Sequence, residues 1–338
     1  MLKKELGLFL LLAVISAITG TINPAFLSQV NLLNMANLIG LFGVFALGQG
    51  LVIITGGIDL SVGSMLALLG VLFLELLTTY QVYWPFALLL VGLGGLALGA
   101  IQGFLVTRLK MQPFIVTLCG LLIYRGVARY YTADHTSGFD YGDEAETLRY
   151  LASGNIAGIP NTFILLIVLA LIVGVLLHRS VYGRWLYAVG KNEEAARYSG
   201  IPTGIVIATA YIISGALAAI STVLFVFYSN SISPSNFGNF YELYAIAAAV
   251  VGGCSLRGGE GSILGIVLGT ALLQVLQNLV NILGIPNSLN FAVMGTVILL
   301  GVLADQQLQA RRQRNMALAG VAARPAPAPT LAHGKQGA

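Results

Sequence analysis

The sequence predicts an all-α polytopic membrane protein with about ten transmembrane helices and both termini in the cytoplasm. Three observations predict it. Of 338 residues, 57% are hydrophobic and 9% charged, and the mean hydropathy is +0.87, a composition foreign to soluble domains. Apolar runs recur at lengths of about 17 to 25 residues, enough to cross a hydrocarbon layer as helices. The basic residues also sort by side, as the following order of elements shows.

The first run, 5–22, follows Lys3 and Lys4 and has no small-residue cleavage site before Asn23 and Pro24, so it reads as a retained signal anchor. Runs 35–55 and 61–78 follow, then 85–107, where Gly92, Gly94, Gly95, Gly99 and Gly103 permit close helix packing in lipid. The fifth run, 113–132, carries Arg125 and Arg129 one turn apart near its outer end, where snorkelling reaches the headgroups. An acidic outer loop, 133–160, contains Asp134, Asp140, Asp143, Glu144 and Glu146. After it come the sixth run, 161–178, a cytoplasmic segment, 179–202, and the runs 203–228, 242–257, 262–283 and 288–304. Glu75 and Glu242 lie at outer ends of runs, where either can pair with an arginine or face a docking protein. The tail is rich in Ala, Pro and Gly and cannot bury a core, so residues 311–338 read as a disordered cytoplasmic extension of a membrane domain over 1–310.

With the N-terminus inside, the cytoplasmic segments receive Lys3, Lys4, Arg108, Lys110, Arg179, Arg184, Lys191, Arg197, Arg257, Arg311, Arg312, Arg314, Arg324 and Lys335, while Arg125, Arg129 and Arg149 fall elsewhere. Topology thus accounts for the net charge of +4 without a nucleic-acid partner; the partner that composition demands is the lipid bilayer.

Between the second and third runs, Gly56-Gly57-Ile58-Asp59-Leu60-Ser61-Val62-Gly63-Ser64 forms a polar, glycine-rich break. It reads as a turn whose Asp59 or Ser61 caps the amides opening the next helix. A second glycine-rich turn, Arg257-Gly258-Gly259-Glu260-Gly261-Ser262, falls on the same side and suggests an internal repeat.

Catalytic chemistry has little foothold. His135, His178 and His333 lie on distant segments, so neither a metal site nor a nucleophile–base pair is visible. Cys119 and Cys254 fall on different helices and read as small buried packing residues. The ninth run does present polar surface, with Gln274, Gln277, Asn278 and Asn281 at i, i+3, i+4, i+7 along one stripe. Such amides suit either a path for a hydroxyl-rich solute or bonds between helices. Gln49 and Gln102 are isolated amides read as interhelical contacts, with Gln49 kept beside the stripe as a candidate lining residue. In segment 179–202, Asn192 suits an N-cap, Glu193 and Glu194 a first turn, Arg197 a last turn and Gly200 a C-cap. A short helix is expected there, either a solvated surface element or a lever for a soluble partner.

Several motifs in this order, Thr55-Gly-Gly-Ile-Asp-Leu-Ser-Val-Gly-Ser64, Gly183-Arg184, the stretch from Tyr187 to Ile201, Tyr241 to Ala249 with Gly252-Gly253, and Gly258 to Ser262, resemble the permease subunit of ribose-type ATP-binding-cassette importers. The resemblance covers nearly the whole chain to about residue 310. It implies an inner-membrane subunit, not itself an enzyme, that pairs with a second copy or a related permease. It further implies cytoplasmic ATPase subunits that use ATP and Mg, and an extracytoplasmic binding protein that delivers a monosaccharide or similar polyol. This chain has no Gly-x-x-x-x-Gly-Lys-Ser/Thr phosphate loop, so a cofactor is expected only on the partner. Carried over by motif, Gly190, Lys191, Asn192, Glu193, Glu194, Ala195, Ala196, Arg197, Ser199 and Gly200 form the coupling helix that seats in the ATPase. Glu193, Glu194 and Arg197 would make its polar contacts, and Ala195 and Ala196 would allow close approach. Tyr244 stands where family members often carry Asp, which leaves the sugar unnamed. The residues alone also allow a stand-alone facilitator or secondary transporter whose site is the amide stripe.

Overall fold

A computed structural model describes residues 2–139 and 146–286, with single positions between 289 and 307. Helix α1 (Leu2–Ile22) leads through a short 3-10 turn, Pro24–Leu27, to α2 (Gln29–Ile54), α3 (Val62–Thr78), α4 (Trp84–Thr107) and α5 (Pro113–Tyr131). The outer loop holds β1 (Ser137–Gly138), α6 (Glu146–Ser153), β2 (Asn155–Ile156) and β3 (Ile159–Pro160). Then follow α7 (Asn161–Arg179), α8 (Val181–Lys191), α9 (Glu193–Tyr198), α10 (Thr203–Ser229), β4 (Ser231–Ile232), α11 (Tyr241–Val251) and α12 (Ile263–Ile282).

Among the described residues, six helices are long and apolar enough to cross a membrane, namely α1, α2, α4, α7, α10 and α12. The expected third span is α3, of 17 residues, and the fifth is α5, of 19, which carries two arginines. The eighth departs from expectation. Instead of 242–257, α11 has 11 residues and stops at Gly252, so it is about 16 Å long, roughly half the hydrocarbon thickness. The expected tenth span, 288–304, lies outside the described residues except for isolated helical positions, and the tail 311–338 lies wholly outside them.

Helices α2 and α10 form the buried centre, while α1 lies at the edge with Leu6, Leu10 and Leu11 exposed. Glycine makes the central packing possible. Gly95, Gly99 and Gly103 recur every four residues on α4 and meet the α10 backbone at Gly215, Tyr211 and Ala208, so that α4 and α10 touch main chain to main chain. Gly92, in the same cluster, has nothing near its Cβ position and takes no part. β1 pairs antiparallel with β4 through Ser137–Ile232 and Gly138–Ser231, fixing the loop after α5 to the chain after α10. Cys254 is buried as expected, but Cys119 is exposed on α5, because it lies on the outward face beside Leu118 and Leu122.

Candidate functional site

The break after α2 is more than a turn. Thr55 ends the helix, Gly56 reverses the chain at φ +86°, and residues 57–60 run back beside α2 without regular secondary structure, Gly57 and Asp59 buried and Ile58 and Leu60 half-buried. Asp59 is 1% exposed and Gln49 is fully buried. The Gln49 carboxamide donates to the Asp59 carbonyl at 3.1 Å and accepts from the Asp59 N–H at 3.2 Å. Thr117 donates to the Ile58 carbonyl at 3.0 Å. The capping expectation needs correction: Ser61 occupies the N-cap of α3 without a side-chain cap bond. Asp59 Oδ1 instead accepts from the Ser61 N–H at 2.9 Å and its hydroxyl at 2.7 Å, closing a local turn before the helix. Gln102 on α4 donates to Ser61 Oγ and lies 3.4 Å from the Tyr124 hydroxyl on α5, so four elements converge on this segment.

The chain after β4 dips toward the same place from the opposite end of α3. Gly63 on α3 packs on Gly238 and on the Glu242 carboxylate, with no space for a Cβ on either glycine. Arg125, expected to snorkel outward, turns inward and donates to the Pro234 and Phe237 carbonyls at 2.8 and 2.6 Å. The dipping segment has no ladder of its own, and the guanidinium supplies the donors its carbonyls require. Arg129 does face outward, gripping Asp134 through Nε and Nη2 at 2.8 and 2.7 Å and holding that carboxyl below its usual range. Tyr244, 9% exposed, lies inside a cluster with Phe42 and Tyr241, at ring distances of 5.6 and 6.4 Å.

The amide stripe does not act as one unit. Asn278 exchanges two hydrogen bonds with Asn31 on α2, at 2.7 and 3.1 Å, while Asn31 also donates to the Phe26 carbonyl at 2.8 Å. Gln274 is buried, Gln277 half-buried and Asn281 exposed. Gln49 is engaged by Asp59, so the structure does not bring it to the other four.

In segment 179–202 the short helix expected between Asn192 and Gly200 is α9, and a further helix, α8, precedes it. Ser180 caps α8 through the Gly183 N–H at 3.1 Å, and Asn192, extended at φ −162°, ends α8 and caps α9 through the Ala195 N–H at 2.9 Å. Ser199 returns its hydroxyl to the Ala195 carbonyl at 2.9 Å, and Gly200 stops the helix at φ +83°. Glu193 faces its own protein, accepting from Thr203 at 3.3 Å and lying 3.9 Å from Lys110. Ala196 is buried beneath α9, whereas Glu193, Glu194, Ala195 and Arg197 are exposed. Tyr198 is 85% exposed and was not singled out by sequence reasoning. Its signal was available: a large aromatic ending a short polar helix has no core to enter.

A family described as branched-chain amino acid transport system, permease component, matches residues 31–302. The ribose import permease protein RbsC of Bacillus subtilis (strain 168) is 38% identical over 310 residues, 91% of this chain and 94% of that protein. The ribose import permease of Escherichia coli (strain K12) is 36% identical over 312 residues, with coverages of 91% and 94%. A fructose import permease, FruF of Bifidobacterium longum (strain NCC 2705), is 34% identical over 269 residues, covering 80% of this chain and 75% of its own. No solved structure gives a significant match.

Proposed function

The chain belongs to this permease family, and from that premise we propose that its cargo is a monosaccharide or similar polyol. It is the membrane permease subunit of an ATP-binding-cassette importer, a multi-pass inner-membrane protein and a transport component rather than an enzyme. Such a subunit works with an ATPase and a binding protein. In this reading ATP and Mg are used by the ATPase, α9 seats in it, and a second copy or a related permease completes the path.

The observation that carries the cargo assignment is similarity to the ribose permease over 91% of the chain. The contact with the ATPase is supported by α9 itself, whose capped turn holds Glu194, Arg197 and Tyr198 outward while Glu193 and Ala196 anchor it inward. In this reading Glu194, Arg197 and the exposed Tyr198 are the principal contacts, with Glu193, also exposed, beside them. Purification of the tagged chain from its native membrane tests the assignment. An ATPase should copurify, and Glu194→Arg should reduce its recovery and lower uptake while the chain still inserts. Normal recovery and normal uptake with Glu194→Arg would remove α9 as the contact.

A further inference from the structure

Three segments, distant in sequence, meet main chain to main chain, with the Lys191 stem alongside Gly259. Gly190, in the last turn of α8, lies against the Ile54 carbonyl at the end of α2 and against Gly259, and a Cβ there would collide with both. The Gly259 N–H donates to that same Ile54 carbonyl at 2.8 Å. A Cβ on Gly258 would lie 2.7 Å from the Gly190 carbonyl and 2.9 Å from the Gly56 nitrogen. Gly56, Gly258 and Gly259 hold φ values of +86°, +81° and +71°, which side chains resist. Around this contact, Tyr187 donates to the Gly261 carbonyl at 2.7 Å, and Lys191 pairs with Glu260 at 2.8 Å. The two glycine-rich turns that look like a repeat in sequence are thus the two surfaces on which the end of α8 rests.

Backbone packed on backbone has no rotamers through which to absorb a displacement, and close-packed interiors compress little. A shift at Gly190 must therefore move Ile54 and Gly259 with it. The first leads into the Gln49–Asp59 segment and α3; the second leads into α12.

We propose that Gly56, Gly190, Gly258 and Gly259 form a rigid transmission joint, through which α8 and α9, the end of α2 and the turn before α12 move as one body. Gly190 is the positioning residue at its centre. The proposal rests on α9 being the ATPase contact, and it adds which membrane elements receive that motion.

Two measurements on the full chain with its ATPase and binding protein test it. Gly190→Ala, compared with wild type at equal amounts of recovered ATPase, should show uptake per ATP hydrolysed reduced about tenfold or more. Wild-type uptake by Gly190→Ala would overturn the joint. The second measurement does not depend on that variant folding. In a Cys119→Ser background, Lys191→Cys and Glu260→Cys are joined by a short bis-maleimide. Tethered protein should transport like untethered protein, because the parts do not separate; arrest by the tether would show that the contact opens in the cycle and would overturn the proposal. A wild-type chain that recovers no ATPase instead removes the α9 assignment, and the joint's transmission role falls with it.

Discussion

Gln49 on α2 holds Asp59 by its main chain, accepting from its N–H at 3.2 Å and donating to its carbonyl at 3.1 Å, as a neighbouring strand would. An extended segment inside a helical membrane bundle must have its peptide groups satisfied by something, since no water is present to do it. Here the partners are side chains, Gln49 and Thr117. Replacing Gln49 with Leu leaves two buried backbone groups unpaired at about 1–3 kcal/mol each. Thermal unfolding in detergent should begin at lower temperature, and uptake should fall. Gln49→Glu, whose carboxylate sets oxygen against the Asp59 carbonyl and buries a charge, should do no better than Gln49→Leu.

Arg125 is the corresponding device on the outer side, because its guanidinium bonds the Pro234 and Phe237 carbonyls of the dipping segment. Arg125→Met retains bulk but removes the donors. The segment should loosen, and a cysteine placed at Asn236, already exposed, should react faster with a membrane-impermeant maleimide in Arg125→Met than in the parent. Equal reactivity would show that the arginine does not fasten the segment.

The Asn31–Asn278 pair joins α2 to α12 by two reciprocal bonds. Asn278→Leu should therefore act on stability, by roughly 1 kcal/mol for an interhelical amide contact, rather than on solute affinity. The double variant Asn31→Leu with Asn278→Leu should recover much of the loss, since neither amide is then left unpaired. A change in apparent affinity for solute with unchanged thermal stability would assign Asn278 to the path instead.

Gly63 has no room for a methyl group, because Gly238 and the Glu242 carboxylate occupy that space. Gly63→Ala should separate α3 from the start of α11 and give low yields of folded protein, read by size-exclusion chromatography. A well-folded, fully active Gly63→Ala would refute this close crossing.

Much of this organisation is legible in the sequence, for reasons that differ by element. Long apolar runs reveal the six apolar helices of spanning length among the described residues, and Asn192 and Gly200 reveal α9, because capping chemistry is local. What escapes is whatever a distant partner decides. Arg125 reads as a snorkelling residue until the chain after β4 folds down onto it, and α11 reads as a full span because its apolar run continues past the Gly252-Gly253 stop. The amide spacing on α12 is a true helical stripe, yet only Asn31, some 247 positions away, shows what Asn278 binds. Glycines that look alike in sequence also divide by position, with Gly190 pressed on backbone and Gly92 facing open space.

The central claim is ATP-driven import of a monosaccharide. Its most direct test is uptake by proteoliposomes carrying the full chain with its ATPase, binding protein outside and Mg-ATP within, offered labelled ribose, fructose or leucine. The account predicts accumulation of a sugar that requires ATP and the binding protein, with leucine excluded. Accumulation of leucine, or equilibration of sugar by the chain alone without ATP, would contradict it.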